Sequence, residues 1–217
     1  MLRIMSFVLL CLLFNVARAD DPPKTPAVKQ PALREELLKR TEEDQKARFT
    51  MINWMKANGT GGSVNLSGEK KAEYEKLMLA VNKADGENTK WLKDIIKAHG
   101  WLTYSMVGKD GAQAAWLLVQ HADADPKFQR ECLDLMTKLH KTEVSLSNLA
   151  YLTDRVLLAE GKKQIYGTQF TTIEGKLQPR PMEDEANVDK RRAEMGLSTL
   201  AEYAKIIEKQ YGTSPKK

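Results

Sequence analysis

Residues 149 to 170, LAYLTDRVLLAEGKKQIYGTQF, begin as a helix that is apolar almost all round and end in a segment of polar and aromatic side chains. Turning by 100° per residue gathers Leu149, Leu152, Val156 and Leu157 on one face, while Tyr151 and Leu158 make even the far side apolar. A helix without a polar stripe belongs inside a helical core. Asp154 and Arg155 sit within it, with little water on either side. An ionised side chain withdrawn from water is costly unless paired, so both are expected to meet partners. The segment that follows, Ile165 to Ile173, is rich in Tyr, Thr, Phe and Ile and reads as a strand, turned at Glu174-Gly175 into a hairpin with Lys176 to Pro179. Alternation puts Gln164, Tyr166 and Thr168 on one face and Gln169 on the other, unless Gly167 introduces a bulge.

The rest of the chain is helical in pattern. From Ala32 the acid-first pairs Glu35 with Lys39, Glu36 with Arg40, Glu42 with Lys46 and Asp44 with Arg48 support a long helix, which Asn58-Gly59 stops. Residues 59 to 68, GTGGSVNLSG, read as a connector without phosphate-cradle spacing. Further helices are predicted at about 69 to 84, 88 to 98, 110 to 121, 126 to 141, 147 to 160, 184 to 195 and 198 to 211, with Asp125-Pro126 and Ser198 as start signals. Leu200, Tyr203, Ala204, Ile207 and Tyr211 share one face of the last helix. The expected fold is all-α, one mainly helical domain over residues 32 to 213, with a small β-hairpin-like segment near 164 to 180.

The start of the chain has a different character. Arg3 precedes an apolar run from Ile4 to Phe14 broken only by Ser6, and Ala17-Arg18-Ala19 has the form of a signal peptidase site. Residues 1 to 19 therefore read as a signal peptide, and the protein as exported to the periplasm or beyond. The apolar run is about half the ~20 residues a membrane span needs, and Leu10 before Cys11 argues against lipidation. Residues 20 to 31, DDPPKTPAVKQP, read as a proline-rich linker. Losing Arg3 and Arg18 and no acid turns 34 basic against 29 acidic residues into 32 against 29, a mature charge of +3. So weak and dispersed a balance excludes a nucleic-acid partner, and no membrane association is expected after cleavage. Cys132 then stands alone, without an internal disulfide.

Inward-facing polar residues recur elsewhere. On the first helix Leu33, Leu37, Met51 and Met55 share a stripe with Thr41, Asp44 and Arg48. The helix at 110 to 121 ends in Gln120-His121, close to Asp123 and Asp125. Two readings stand side by side: a closed network of structural salt bridges, or a polar pocket among the first, fourth and sixth helices and the QIYGTQF segment. In the second, His121 and Asp154 are the catalytic candidates, with Asp154 orienting His121 or Arg155. Asp44, Arg48, Arg155, Gln164, Tyr166, Gln169 and Arg192 are the ligand-binding candidates, the arginines receiving a small polar or anionic ligand. A hydrolase or lyase would use His121 to activate water; a pure binding module or an interaction protein remains open, as does oligomeric state.

Other chemistries are set aside. His121-x-Asp123-x-Asp125 looks metal-like, but Pro126 stands where a calcium loop needs glycine and Cys132 where it needs glutamate, so no metal is expected from it. Cys132 lies mid-stripe with Phe128, Leu135, Met136 and Leu139, as a core residue does. No G-x-S-x-G elbow, P-loop or dinucleotide fingerprint appears, and no cofactor is implied.

The chain also resembles a bacterial domain family of unknown function, of helical character, from about Leu33 to Tyr203. The resemblance rests on Asp44-Gln45-x-x-Arg48, Val107-Gly108, Trp116-Leu117-Leu118 leading to Gln120-His121-Ala122-Asp123, Phe128-Gln129, Asp154-Arg155, Gln164-x-Tyr166-Gly167-Thr168-Gln169 and Val188-Asp189-x-Arg191-Arg192 before Gly196-Leu197. Leu102 departs from it, standing after Gly100-Trp101 where the family pattern has proline. The resemblance implies no activity; it favours treating these polar residues as one constellation.

Overall fold

The charge-paired run beginning at Pro31 forms one helix to Ala57, α1, in the computed structural model, which describes residues 28–58, 66–173 and 176–211. The signal segment at 1–19, most of the proline-rich linker, the glycine stretch 59–65 and the Glu174-Gly175 turn lie outside the described residues. After α1 come α2 (Gly68–His99), α3 (Tyr104–Gln120), α4 (Pro126–Thr137) and α5 (Leu146–Ala159). Strands β1 (Phe170–Ile173) and β2 (Lys176–Pro179) then pair antiparallel, Phe170 opposite Pro179. A 3₁₀ turn at Glu185–Asn187 leads into α6 (Val188–Glu194), and α7 (Leu200–Tyr211) follows. The architecture is the mainly helical single domain with a small hairpin that the sequence predicts.

Several boundaries differ from those expected. The helices expected at 69 to 84 and 88 to 98 are one, α2, because Gly86 in a helix interior costs only about 1 kcal/mol relative to Ala and long runs of good helix formers flank it. Helix α3 starts before residue 110 and kinks at Gly108, whose φ of 77° and ψ of 169° are not helical. Helix α4 ends at Thr137, four residues short of the expectation. The cap of α7 is Thr199 rather than Ser198: Glu202 N donates to Thr199 Oγ1 at 3.3 Å and Thr199 N to Glu202 Oε2 at 3.0 Å, a reciprocal capping box. Asp125 caps α4 as expected, accepting from Phe128 N at 3.1 Å.

The core sits around α3, which is buried on nearly every side as its all-round apolarity demands. Trp116 is fully buried, and its indole donates to Asn148 O at 2.9 Å, joining α3 to the start of α5. Leu37, Leu92, Leu152 and Val156 close in on Trp116 and Leu118 from the neighbouring helices. Leu102 is also fully buried and packs into this core, where it supplies a side chain that proline would not. Cys132 is buried in it as well, and burial pushes its thiol well up, away from nucleophile chemistry. A smaller cluster of Phe170, Tyr203 and Ile207 joins α7 to the hairpin. Among the described residues no helix is long and apolar enough to cross a membrane.

Candidate functional site

The inward charges converge, but on two centres instead of one. The first is assembled from α1, α2 and the end of α3. On α1, Asp44 and Arg48 lie one turn apart on the buried stripe, with side chains 1% and 3% exposed. Arg48 Nε donates to both Asp44 oxygens at 3.3 Å, and its Nη2 pairs with Asp85 of α2. His121, the C-cap of α3, donates from Nδ1 to Asp44 Oδ2 at 2.8 Å, and Gln45 Nε2 donates to the same oxygen at 2.9 Å. The turn that carries His121 is braced from two sides. Arg155 on α5 donates to Gln120 Oε1 at 2.7 Å and straddles both Asp123 oxygens at 2.6 and 2.7 Å. Gln129 on α4 donates to Val119 O, Gln120 O and Asp123 Oδ1.

Electrostatics fix the protonation states. Burial alone would raise Asp44, but the hydrogen bond from His121 and the adjacent Arg48 guanidinium hold its carboxyl below the usual carboxylate range. His121 is held below its ordinary value chiefly by burial, reinforced by the charges of Arg48 and Arg155 and opposed by Asp44. The imidazole is thus neutral beside an ionised carboxylate, with its proton on Nδ1. Asp85 moves upward, to about 7, because burial and the charges of Asp44 and Asp123 outweigh Arg48.

This centre opens on a cavity of about 650 Å³, walled by Arg48, Asp85, Thr89, Lys93, His121 and Asp123 among others. With Nδ1 engaged, His121 Nε2 has no hydrogen-bond partner among the described residues, although His121 is only 8% exposed. Asp85 Oδ2 is likewise without one. A fixed imidazole with an available lone pair at a cavity wall can accept a proton or coordinate a cation.

The second centre is built on Asp154, which is fully buried. The expected pairing of Asp154 with His121 or Arg155 gives way to another. Asp154 Oδ1 accepts from Ile165 N and Tyr166 N at 2.7 and 3.0 Å, and Oδ2 from Thr168 N and Thr168 Oγ1, both at 2.9 Å. The carboxylate holds a loop, so residues 165 to 169 are not a strand as expected, and β1 begins only at Phe170. Gly167, at φ 67°, breaks the alternation there; Gln164, Thr168 and Gln169 are all buried. Gln164 bridges the loop to itself through Gln169 N and O and to Arg180 O. Arg192 donates to Tyr166 O and Ser198 O and lies 5.0 Å from the Tyr203 ring centre.

Of the candidates named from sequence, Arg48 and His121 line the cavity, Asp44 is bonded to both of them, and Arg155 is bonded to the cavity residue Asp123. Asp154, Gln164, Tyr166, Gln169 and Arg192 gather at the loop network. Asp85 was missed, although Val81, Asp85, Asn88, Leu92 and Ile96 form an unbroken stripe once residues 68 to 99 are read as one helix. Its presence also changes the pairing: Arg48 is shared between two carboxylates, and Arg155 is engaged by Asp123.

The chain belongs to a family of unknown function, DUF6624, whose model matches residues 31–216. No curated protein matches it, and neither does any solved structure.

Proposed function

We propose that this member of a family without an assigned activity binds a small polar ligand in the cavity between α1, α2 and the α3–α4 turn, against His121, Arg48 and Asp85. The observation that carries the reading is His121, nine-tenths buried, locked by Asp44 and with one ring nitrogen left unpartnered at the cavity wall. The test is thermal melting of the purified protein against a panel of small polar metabolites. A ligand at 100 times its Kd stabilises by about 2.7 kcal/mol, which for a domain of this size shifts Tm by roughly 5–10 °C. A shift present in wild type and lost in a folded His121→Ala variant supports the reading; identical responses of the two to every compound reject it.

A second reading, a water-activating hydrolase or lyase, draws on the 2.8 Å contact between His121 and Asp44. In it Asp44 takes the orienting role that sequence reasoning gave to Asp154, and Nε2 is the base. Export by the signal peptide is part of the same proposal and rests on the pattern of residues 1 to 19. It predicts a mature N-terminus at Asp20 in the periplasmic or secreted fraction; an intact chain confined to the cytoplasm counts against it.

A further inference from the structure

We infer that the floor of the cavity is a site for one divalent transition-metal cation, coordinated by His121 Nε2 and by Asp85, with Asp44 as the carboxylate that orients the imidazole. The inference rests on the cavity being open to a ligand, as proposed above, and names the chemical class of one occupant. One donor atom from each of Asp44, Asp85 and His121 lies within 4.8 Å of the other two. These atoms come from three different elements: two helices and the cap of a third. The cluster is therefore fixed by tertiary packing, unlike an acidic run on one surface. His121 and Asp85 both line the cavity, and with Nδ1 held by Asp44 the imidazole has Nε2 left to meet a ligand there.

The remaining features fit coordination. An imidazole whose Nδ1 proton is held by a carboxylate is the arrangement that fixes a histidine for metal through Nε2. Asp85 keeps Oδ2 available while Oδ1 is held by Arg48. Asp85 and Asp123 line the cavity together with His121. The cavity leaves room for water at the open coordination positions. A mixed nitrogen and oxygen donor set suits zinc or manganese better than calcium, which prefers oxygen alone. The local His121-x-Asp123-x-Asp125 spacing is not the site: Asp123 turns to Arg155, and Asp125 to Lys93 and Phe128 N. The donors that reach His121 lie 77 and 36 residues away along the chain, a placement that spacing alone does not reveal.

The test is calorimetric titration of tag-free, chelator-stripped protein with ZnCl₂ and with MnCl₂. One saturable equivalent is expected in wild type. Asp44→Asn should weaken it about 10–100-fold as an outer-shell change, and His121→Ala and Asp85→Asn should weaken it at least as much. Asp134→Asn, exposed on α4, should bind as wild type does. Because the core variants can misfold, electron spin-echo spectroscopy of the manganese-loaded wild type provides a second readout, in which nitrogen hyperfine coupling is expected. Absence of a saturable equivalent with both metals, absence of nitrogen coupling, or unchanged affinity in folded His121→Ala overturns the inference. Repeating the metabolite melts in chelator separates the two readings: shifts that persist there keep the ligand pocket even if the metal site fails.

Discussion

Asp154 has no ion-pair partner among the described residues; its charge is spread over three backbone N–H groups and one hydroxyl. Asp154→Asn keeps the shape but turns an amide NH₂ toward donors of the same kind, leaving about two of the four without an acceptor. At about 1–3 kcal/mol for each buried unsatisfied donor, the variant should lose roughly 2–6 kcal/mol of stability in urea unfolding. A loss below about 1 kcal/mol would mean that the loop holds itself. The helical pattern of residues 149 to 160 was enough to say that this carboxylate is buried and must be satisfied. It was silent on the partner, because backbone amides carry no residue-type signal and a loop can bring any of them inward. Asp44 and Arg48 were legible as a pair for the opposite reason: both stand on one helix, four apart.

At the scale of elements, α2 decides how much of the cavity could be foreseen. Two helices at 69 to 84 and 88 to 98 leave Asp85 between them, off any inward stripe, and with it one wall of the site. Gly86 is exposed, lies inside α2, and an added Cβ meets nothing within 4 Å. Gly86→Ala should therefore stabilise the protein by about 0.5–1 kcal/mol, seen as a higher urea midpoint with an unchanged slope. A destabilised variant would show that α2 is not continuous there. The junction of α1 with the kinked start of α3 supplies a pH-dependent test. Arg34 donates from Nε to Asp110 Oδ1 at 2.9 Å, and this hydrogen bond, aided by Gly111 N and opposed by burial, holds the Asp110 carboxyl below its ordinary value. A carboxylate depressed in the folded state contributes stability above its unfolded pKa of about 3.9, and that contribution disappears as pH falls through the folded value. The pair is partly exposed and screened, so the effect is small. Between pH 7 and about 5 the midpoint gap between wild type and Asp110→Asn should stay constant, then shrink below about pH 4; a gap that ignores pH would assign the effect to packing.

For the molecule as a whole, the question is whether its buried charges act together. Asp154 and Arg155 are adjacent in sequence yet about 100° apart around α5, so one faces the loop and the other faces the α3–α4 turn. The helix core of Leu152 and Val156, packed with Trp116 and Leu118 of α3, stands among these elements. In the hydrogen bonds described above, the cavity set is Asp44, Arg48, Asp85, Gln120, His121, Asp123 and Arg155, and the loop set is Asp154, Gln164, Thr168, Gln169, Arg191 and Arg192, with no residue in both among the described residues. Mutations that share no partner add to within about 0.3–0.5 kcal/mol, whereas members of one network couple by about 0.5–3 kcal/mol. A double-mutant cycle of His121→Ala with Asp154→Asn, measured by urea unfolding at one pH, should therefore close to within 0.5 kcal/mol. The matched cycle of His121→Ala with Asp44→Asn should leave a coupling of about 1 kcal/mol or more, since each removes a partner of the other. Strong coupling in the first cycle would restore a single constellation spanning both centres, with the packed faces of α3 and α5 transmitting strain between them.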